Sequence, residues 1–351
     1  MPDAPVRLSD HTTLRLGGPA TEWMVASSEL DLIEAVAAAD IASDQLLVLG
    51  GGSNLVVADE GFDGTVVEVA TTGVTADHEG SDPTCGGVMV TVAAGERWDS
   101  VVAQAVERGW VGLEALSGIP GSTGATPIQN VGAYGQDVSQ TIAQVRVWDR
   151  VLRGVRTFAA ADCNFGYRSS RFKSTALDPW GGRHVVLAVT FQLQVGTLSA
   201  PIAYAELART LGVEVGDRVP LAEVREAVLG LRRGKGMVLD PEDHDTWSAG
   251  SFFTNPVVDA DRVPDGAPAW PQGDGTVKTS AAWLIEHAGF GKGYPGDGPV
   301  RLSTKHTLAL TNRGTATTAD LLSLAREIRD GVRKEFGIEL VNEPVTVGVS
   351  L

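Results

Sequence analysis

Ser251 lies in SAGSFFTNP (248–256), preceded by Gly250 and followed by two phenylalanines. No G-x-S-x-G elbow surrounds it, so nothing suggests an activated nucleophile of the hydrolase kind. A serine hydroxyl in an apolar pocket can still deliver a proton to a strongly basic partner, although the same composition fits an ordinary turn. Arg168 and Arg171 stand among aromatics in CNFGYRSSRFK (163–173). A guanidinium there can clamp a carboxylate or phosphate in a planar fork, and an exposed basic loop is the plain alternative. Arg232, Arg233 and Lys235 crowd the end of a helical pattern. The helix macrodipole favours cations at that end without any ligand, and a diphosphate partner is the sharper reading.

Two glycine-rich stretches offer backbone rather than side-chain chemistry. In LLVLGGGSNLVV (46–57), apolar runs flank Gly50, Gly51, Gly52, Ser53 and Asn54, a pattern of strand, tight turn and strand. Consecutive glycines let N–H groups converge on an anionic oxygen with no Cβ in the way, and Ser53 and Asn54 add donors. A plain hairpin turn has the same composition. SGIPGSTGATPIQNVGAYG (117–135) holds five glycines and two prolines, too many for a regular element. Such a loop could wrap a long ligand beside Gln129, Asn130 and Tyr134, or be a structural Ω-loop. Neither stretch reads G-x-x-x-x-G-K-[ST] or G-x-G-x-x-G, so a P-loop and a Rossmann site lose support, while a dinucleotide held by two separate loops remains.

The elements that must position these groups follow from periodicity. Residues 11–18 read as a short strand and turn, and 21–26 as a second strand. Ser28 to Asp31 opens a helix as a capping box, with Leu30, Ile33 and Ala37 on its inner face. Residues 65–69, 88–93, 144–149 and 184–194 alternate as strands. Helices are expected over 97–109, 204–212, from Pro220 to the basic cluster, 279–289 and 318–337, the last with Leu321, Leu324, Ile328, Val332 and Phe336 as its buried stripe.

Composition narrows the class. The 351 residues carry 43% hydrophobic side chains and a formal net charge of -16, enough for two or three cored domains. The charge argues against nucleic acid as the main partner, while a local basic pocket can still take an anionic small ligand. No apolar run reaches membrane length and MPDAPVRLSD lacks a signal-peptide pattern, which points to the cytoplasm and no membrane insertion. Cys85 and Cys163 are far apart and expected to be reduced and partly buried. The six histidines form no H-x-H, H-x-x-x-H or H-E-x-x-H pair, so no catalytic metal is expected.

Taken in order, LGGGSNLVV, GIPGSTGATPIQNVGAYG, FGYRSSRF, SAGSFFTNP and LVNEPVTVG resemble the UDP-N-acetylenolpyruvoylglucosamine reductases, the MurB family, over residues 12–348. The resemblance implies an α+β chain: a two-part FAD-binding region of the vanillyl-alcohol oxidase type plus a C-terminal α/β substrate-binding domain. The expected spans are 1–70, 71–203 and 204–351, with the C-terminal strand returning toward the flavin site. It also implies a flavoenzyme, first reduced by NADPH, that reduces an enolpyruvyl ether on a UDP-sugar in peptidoglycan precursor synthesis.

The family's cofactor positions fall on Gly50, Gly51, Gly52, Ser53, Asn54, Gly118, Ile119, Pro120, Gly121, Ser122, Gly124, Gln129, Asn130 and Ala133. No histidine follows Ser53 and Asn54, so FAD is expected to be non-covalent. By the same resemblance Arg168 and Glu343 stabilise charge and Ser251 gives the proton. Tyr134, Arg232, Lys235, Asn255 and Lys278 match positions near the substrate, and Tyr204 matches a tyrosine on a loop over the UDP part in one type of this enzyme. Two departures stand out: Pro344 follows Glu343, and residues 236–247 form a longer segment than in many members. An FAD oxidase of the same fold would share both glycine loops without the Arg168, Ser251 and Glu343 set. A non-catalytic binding module would need no serine donor.

Overall fold

A computed structural model describes residues 5–78, 87–175, 177 and 181–351. Cys85 lies outside the described residues. The chain forms two compact units, neither of them continuous: Met1–Ala20 with Gly52–Phe62 and Gly234–Leu351, and Thr21–Gly51 with Asp63–Arg233. The expected serial spans are therefore cut across. Most of the residues before position 70, and the helices Ala205–Leu211 and Leu221–Gly234 up to Arg233, pack with the second unit.

In the second unit a three-stranded sheet runs in the order Ala20–Ala26, Phe62–Val69, Leu46–Leu49, the last two parallel. The helix Glu29–Ala42 covers it and begins with the expected capping box between Ser28 and Asp31. Its inner face differs from expectation: Leu32, Ala35, Val36 and Ala39 are buried, whereas Leu30 is 62% exposed. Alanines and branched residues occur all around this helix, so sheet contact rather than the sequence stripe selects the face. A larger antiparallel sheet has the order Gly154–Ala159, Ile142–Asp149, His184–Val195, Gly87–Ala93, Val74–His78. The helix Trp98–Glu107 buries Trp98, Val101, Val102 and Ala105 in one core with the inward strand residues Val90, Val92, Val145 and Phe191. Cys163 is buried there, donates to the Ala159 carbonyl at 3.3 Å, and has its thiol pKa pushed up to about 11 by burial.

The first unit is built on the helix Thr318–Phe336, opened by a capping box of Thr317 and Asp320. Its stripe of Leu321, Leu324, Ala325, Ile328 and Val332 packs on Phe252, Phe253, Leu284 and Ile285. Two expectations fail here. Residues 11–18 contain no strand: a 3-10 helix, Leu8–His11, leads into a path turned by positive φ at Arg15 and Gly17, which alternation of buried leucines had imitated. The strands on either side of the first glycine turn also do not form a hairpin. Leu46–Leu49 pairs with Phe62–Val69, while Leu55–Val57 pairs in parallel with Val345–Val347, so the turn separates two sheets. Among the described residues no helix is long and apolar enough to cross a membrane.

Candidate functional site

The first glycine turn is close-packed backbone. A Cβ on Gly51 would stand 2.6 Å from Gly121 Cα, and one on Gly50 would stand 2.4 Å from Ser122 Oγ. Gly52, at φ +57°, has the His11 carbonyl oxygen where a Cβ would go. The turn and the second loop thus meet glycine against glycine, an approach no larger residue permits. Within the second unit, and among the described residues, the N–H groups of Gly50, Gly51, Ile119 and Gly121 have no protein acceptor. Such a set of unspent donors around bare backbone fits the diphosphate of a dinucleotide.

Other cofactor candidates are committed within the protein. Gly118 donates its N–H to Asp99 Oδ1 at 2.6 Å and Gly124 donates to the Ala94 carbonyl at 2.8 Å, so neither offers an N–H to a ligand. Asn130 donates to the Gly166 carbonyl and accepts from Ser139 N–H, fixing the loop rather than presenting its amide. Gln129 accepts from Lys173 Nζ at 2.9 Å. Ser122 stands at the N-cap position of the turn Thr123–Ala125 with no side-chain cap bond and is buried, and Ala133 pairs with Gln136 just before Tyr134.

In the second unit the loop after Cys163 brings Arg168 to the strand Gly132–Ala133, where its Nη2 donates to the Gly132 carbonyl at 3.3 Å. Tyr134 and Arg168 both hold left-handed backbone, at φ +49° and +51°, a region that costs side chains with a Cβ and persists where surroundings impose it. The rings of Tyr134 and Tyr204 meet edge to face with centroids 5.7 Å apart. Gly135 makes that approach possible, since a Cβ there would stand 2.7 Å from Ala203 Cβ. Arg232 belongs to the same neighbourhood. Burial pushes its pKa down to about 10, Tyr134 and Asp99 oppose that shift, and the Arg168 guanidinium adds to it. Arg232 thus stays charged at neutral pH, and with the Arg168 guanidinium nearby it makes a local concentration of positive charge suited to an anionic ligand.

Arg171 does not join them. It donates to the Asp162 carbonyl at 2.5 Å and lies over the Phe158 ring, so the expected pair of clamping arginines reduces to Arg168. Two residues with no sequence signal organise this region. Asp99 takes the Gly118 N–H and a bidentate pair from Arg225, at 2.7 and 3.0 Å, linking the glycine loop to the helix that carries Arg232. Its carboxyl is held below the ordinary range: burial acts to raise it, and the Arg225 and Gly118 bonds outweigh burial.

In the first unit Ser251 is half-buried, follows Gly250 at φ +74°, and precedes the buried Phe252 and Phe253. Among the described residues its hydroxyl has no hydrogen-bond partner. Phe252 donates to the Leu308 carbonyl at 2.7 Å and accepts from Glu343 N–H at 2.8 Å. This pairing sets Ser251 and Glu343 on neighbouring backbones. Pro344 does not disturb the strand that follows: Val345 donates to the Asn54 carbonyl at 2.9 Å, and Asn54 Nδ2 approaches the Glu343 carbonyl at 3.5 Å. Proline at the position before a strand forfeits no ladder bond.

Asn255 accepts from Ala281 N–H at 3.0 Å, at the start of the helix Ala281–His287, and Lys278 lies opposite Val257 and Trp270 in a small sheet. The longer 236–247 segment after Lys235 is tied down by Asp245, which accepts from Thr304 N–H and Arg313, and by the Asp243–Lys305 ion pair at 2.5 Å.

Comparison with known proteins agrees with this geometry. Residues 23–152 match an FAD binding domain and residues 240–347 match the C-terminal domain of UDP-N-acetylenolpyruvoylglucosamine reductase. The chain is 58% identical over 348 residues to the UDP-N-acetylenolpyruvoylglucosamine reductase of Cutibacterium acnes, covering 99% of this chain and 90% of that one. It is 59% identical over 359 residues to the reductase of the same name from Thermobifida fusca, covering 99% and 98%. Among solved structures it resembles UDP-N-acetylenolpyruvylglucosamine reductase (MurB) from Thermus caldophilus, with TM-score 0.66, 26% identity and 98% of each chain covered. An FAD-binding region followed by this C-terminal domain is the architecture that the sequence motifs imply, and the chain belongs to the UDP-N-acetylenolpyruvoylglucosamine reductase family.

Proposed function

We propose that this chain is the FAD-dependent UDP-N-acetylmuramate dehydrogenase, which uses NADPH to reduce the enolpyruvyl ether of UDP-N-acetylglucosamine-enolpyruvate in peptidoglycan precursor synthesis. The observation that supports the reading is the backbone bond from Glu343 N–H to the Phe252 carbonyl, which holds the backbones carrying Ser251 and Glu343 next to each other in one unit.

The residues present fit FAD: the unspent N–H groups of the two glycine turns would hold its diphosphate, with Ser53 adding a hydroxyl. FAD held there would supply hydride chemistry, linking oxidation of NADPH to hydride addition at C3 of the substrate's double bond. Negative charge then builds on C2 and the attached carboxylate. Arg168 is the cation assigned to that carboxylate, and its guanidinium is oriented by the Gly132 carbonyl. Glu343, fixed through its backbone, is the second group assigned to the developing charge. Ser251 donates its hydroxyl proton to C2, completing net addition of hydride and proton. A serine is a weak acid in water, so this step relies on the strong basicity of its carbanion partner. Tyr134, Tyr204, Arg232, Lys235, Asn255 and Lys278 are assigned to the nucleotide sugar. NADPH as co-substrate and a cytoplasmic location, where both nucleotides are made, complete the reading.

Purified holoprotein should be yellow, bleach with NADPH under nitrogen, and recover its colour quickly when the enolpyruvyl substrate is added. Reoxidation by oxygen alone, with no response to the substrate, would instead indicate an oxidase. Acid precipitation should release all the flavin into the supernatant, since no linking histidine follows Asn54.

A further inference from the structure

Lys173 ties the loop that carries Arg168 to the second glycine-rich loop. Its ammonium donates to the carbonyl oxygen of Arg168 itself at 3.1 Å and to Gln129 Oε1 at 2.9 Å. Arg168 occupies left-handed backbone at φ +51°, a conformation that must be imposed from outside. Several clamps supply that constraint. Gly166 and Ser169 exchange both backbone hydrogen bonds, making a turn with Tyr167 and Arg168 at its tip. Asn130 Nδ2 donates to the Gly166 carbonyl at 3.0 Å, and Ser170 Oγ donates to the Ile128 carbonyl at 2.7 Å. Lys173 is the clamp that takes the Arg168 carbonyl, while the guanidinium at the other end of the residue is held by the Gly132 carbonyl. An ammonium has donors and no acceptor, so Gln129 must meet it with Oε1 and keep its NH2 group as a donor on the remaining side. One cation thereby fixes the backbone of Arg168 and the orientation of the Gln129 amide.

We propose that Lys173 is a positioning residue for reduction of the enolpyruvyl group, acting through Arg168. The inference rests on the role assigned to Arg168 above. Hydride transfer from NADPH makes no demand on Arg168, so the two half-reactions should respond differently when Lys173 loses its donors.

The test is anaerobic stopped-flow flavin absorbance on FAD-loaded Lys173→Met, Lys173→Arg, Arg168→Ala and the double variant Arg168→Ala/Lys173→Met, with flavin content and thermal midpoint measured for each. Lys173→Met should slow flavin reoxidation by substrate about tenfold, the effect of a charge-assisted hydrogen bond at the weaker end of its range, and leave reduction by NADPH within about twofold of wild type. Lys173→Arg should recover most of the rate. In the double variant the methionine should add little to the loss from Arg168→Ala, because the group it positions is already gone. If Arg168→Ala is slow and Lys173→Met reoxidises at the wild-type rate, the inference fails and the role of Arg168 stands. Wild-type reoxidation in Arg168→Ala would remove both. Equal slowing of the two half-reactions by Lys173→Met, with an additive double variant and no rescue by arginine, would reduce Lys173 to a structural contact and overturn the proposal.

Discussion

A proton donor with as weak an acidity as serine is useful only where its competitors are kept away. In the role proposed for it Ser251 would rely on its neighbours: Gly250 turns the chain at φ +74°, and Phe252 and Phe253, which follow, are buried. Ser251→Ala should leave flavin reduction by NADPH nearly intact and slow reoxidation by the enolpyruvyl substrate at least ~10²-fold, the lower range for a positioned general acid. Stopped-flow absorbance separates the two steps, and reoxidation at the wild-type rate would pass the proton role to Glu343. From composition alone Ser251 reads more readily as a turn residue than as a donor, and the family motif made the difference. Asp99 and Arg225 carried no signal at all, because a carboxylate 126 positions from its guanidinium belongs to no local pattern. Arg171 carried a false one: an arginine among aromatics reads the same whether it faces a ligand or stacks on Phe158.

At the level of elements, the two glycine turns act as a pair because each leaves room for the other. Gly51→Ala places a methyl group 2.6 Å from Gly121 Cα, a distance that real Cβ contacts do not show, so one backbone must shift. That variant should be purified with its flavin largely lost, read as the ratio of absorbance near 450 nm to that at 280 nm, while circular dichroism stays native. A full flavin complement would mean the turns can separate without harm to the cofactor. Local sequence announced the helix start at Ser28, since a capping box is a short-range device, while the second box, at Thr317, was not read from the sequence. It misjudged which face of the first helix is buried, and it offered a hairpin where two strands diverge. In the second case the deciding partner is a strand distant in sequence, and in both apolar periodicity records that a partner exists without recording which one.

Over the whole molecule, a formal charge of -16 would meet ligands that are themselves anionic, so the proposed recognition relies on confined cations such as Arg168 and Arg232. Acid stability depends on a different confined charge. Asp149 has a fully buried side chain, accepts two bonds from Arg183 and two backbone N–H groups, and its pKa is lowered to about 2, chiefly by Arg183. A carboxylate whose folded pKa is depressed stabilises the fold above its unfolded value near 3.8, and that contribution disappears as pH falls toward 2. Asp149→Asn should therefore cost roughly 2 kcal/mol at neutral pH and flatten the loss of stability between about pH 4 and 2, measured by denaturant titration across pH. An unchanged acid profile would assign that limb to other carboxylates.

The pairing of Leu55–Val57 with Val345–Val347 also has a history in the life of each molecule. A ribosome adding ~5–20 residues per second finishes the strand beside the first glycine turn well before it makes that strand's neighbour, with a gap of roughly 15 to 60 s. The second unit is fully synthesised at Arg233, so its core can assemble while the remaining chain is still being made. Ser251 must wait for Glu343, whose amide closes onto Phe252 almost at the end of translation. A chain stalled or clipped shortly before Glu343 would lack both the bond from Glu343 to Phe252 and the strand beside Leu55–Val57, leaving the first unit unfinished after the second has been made in full.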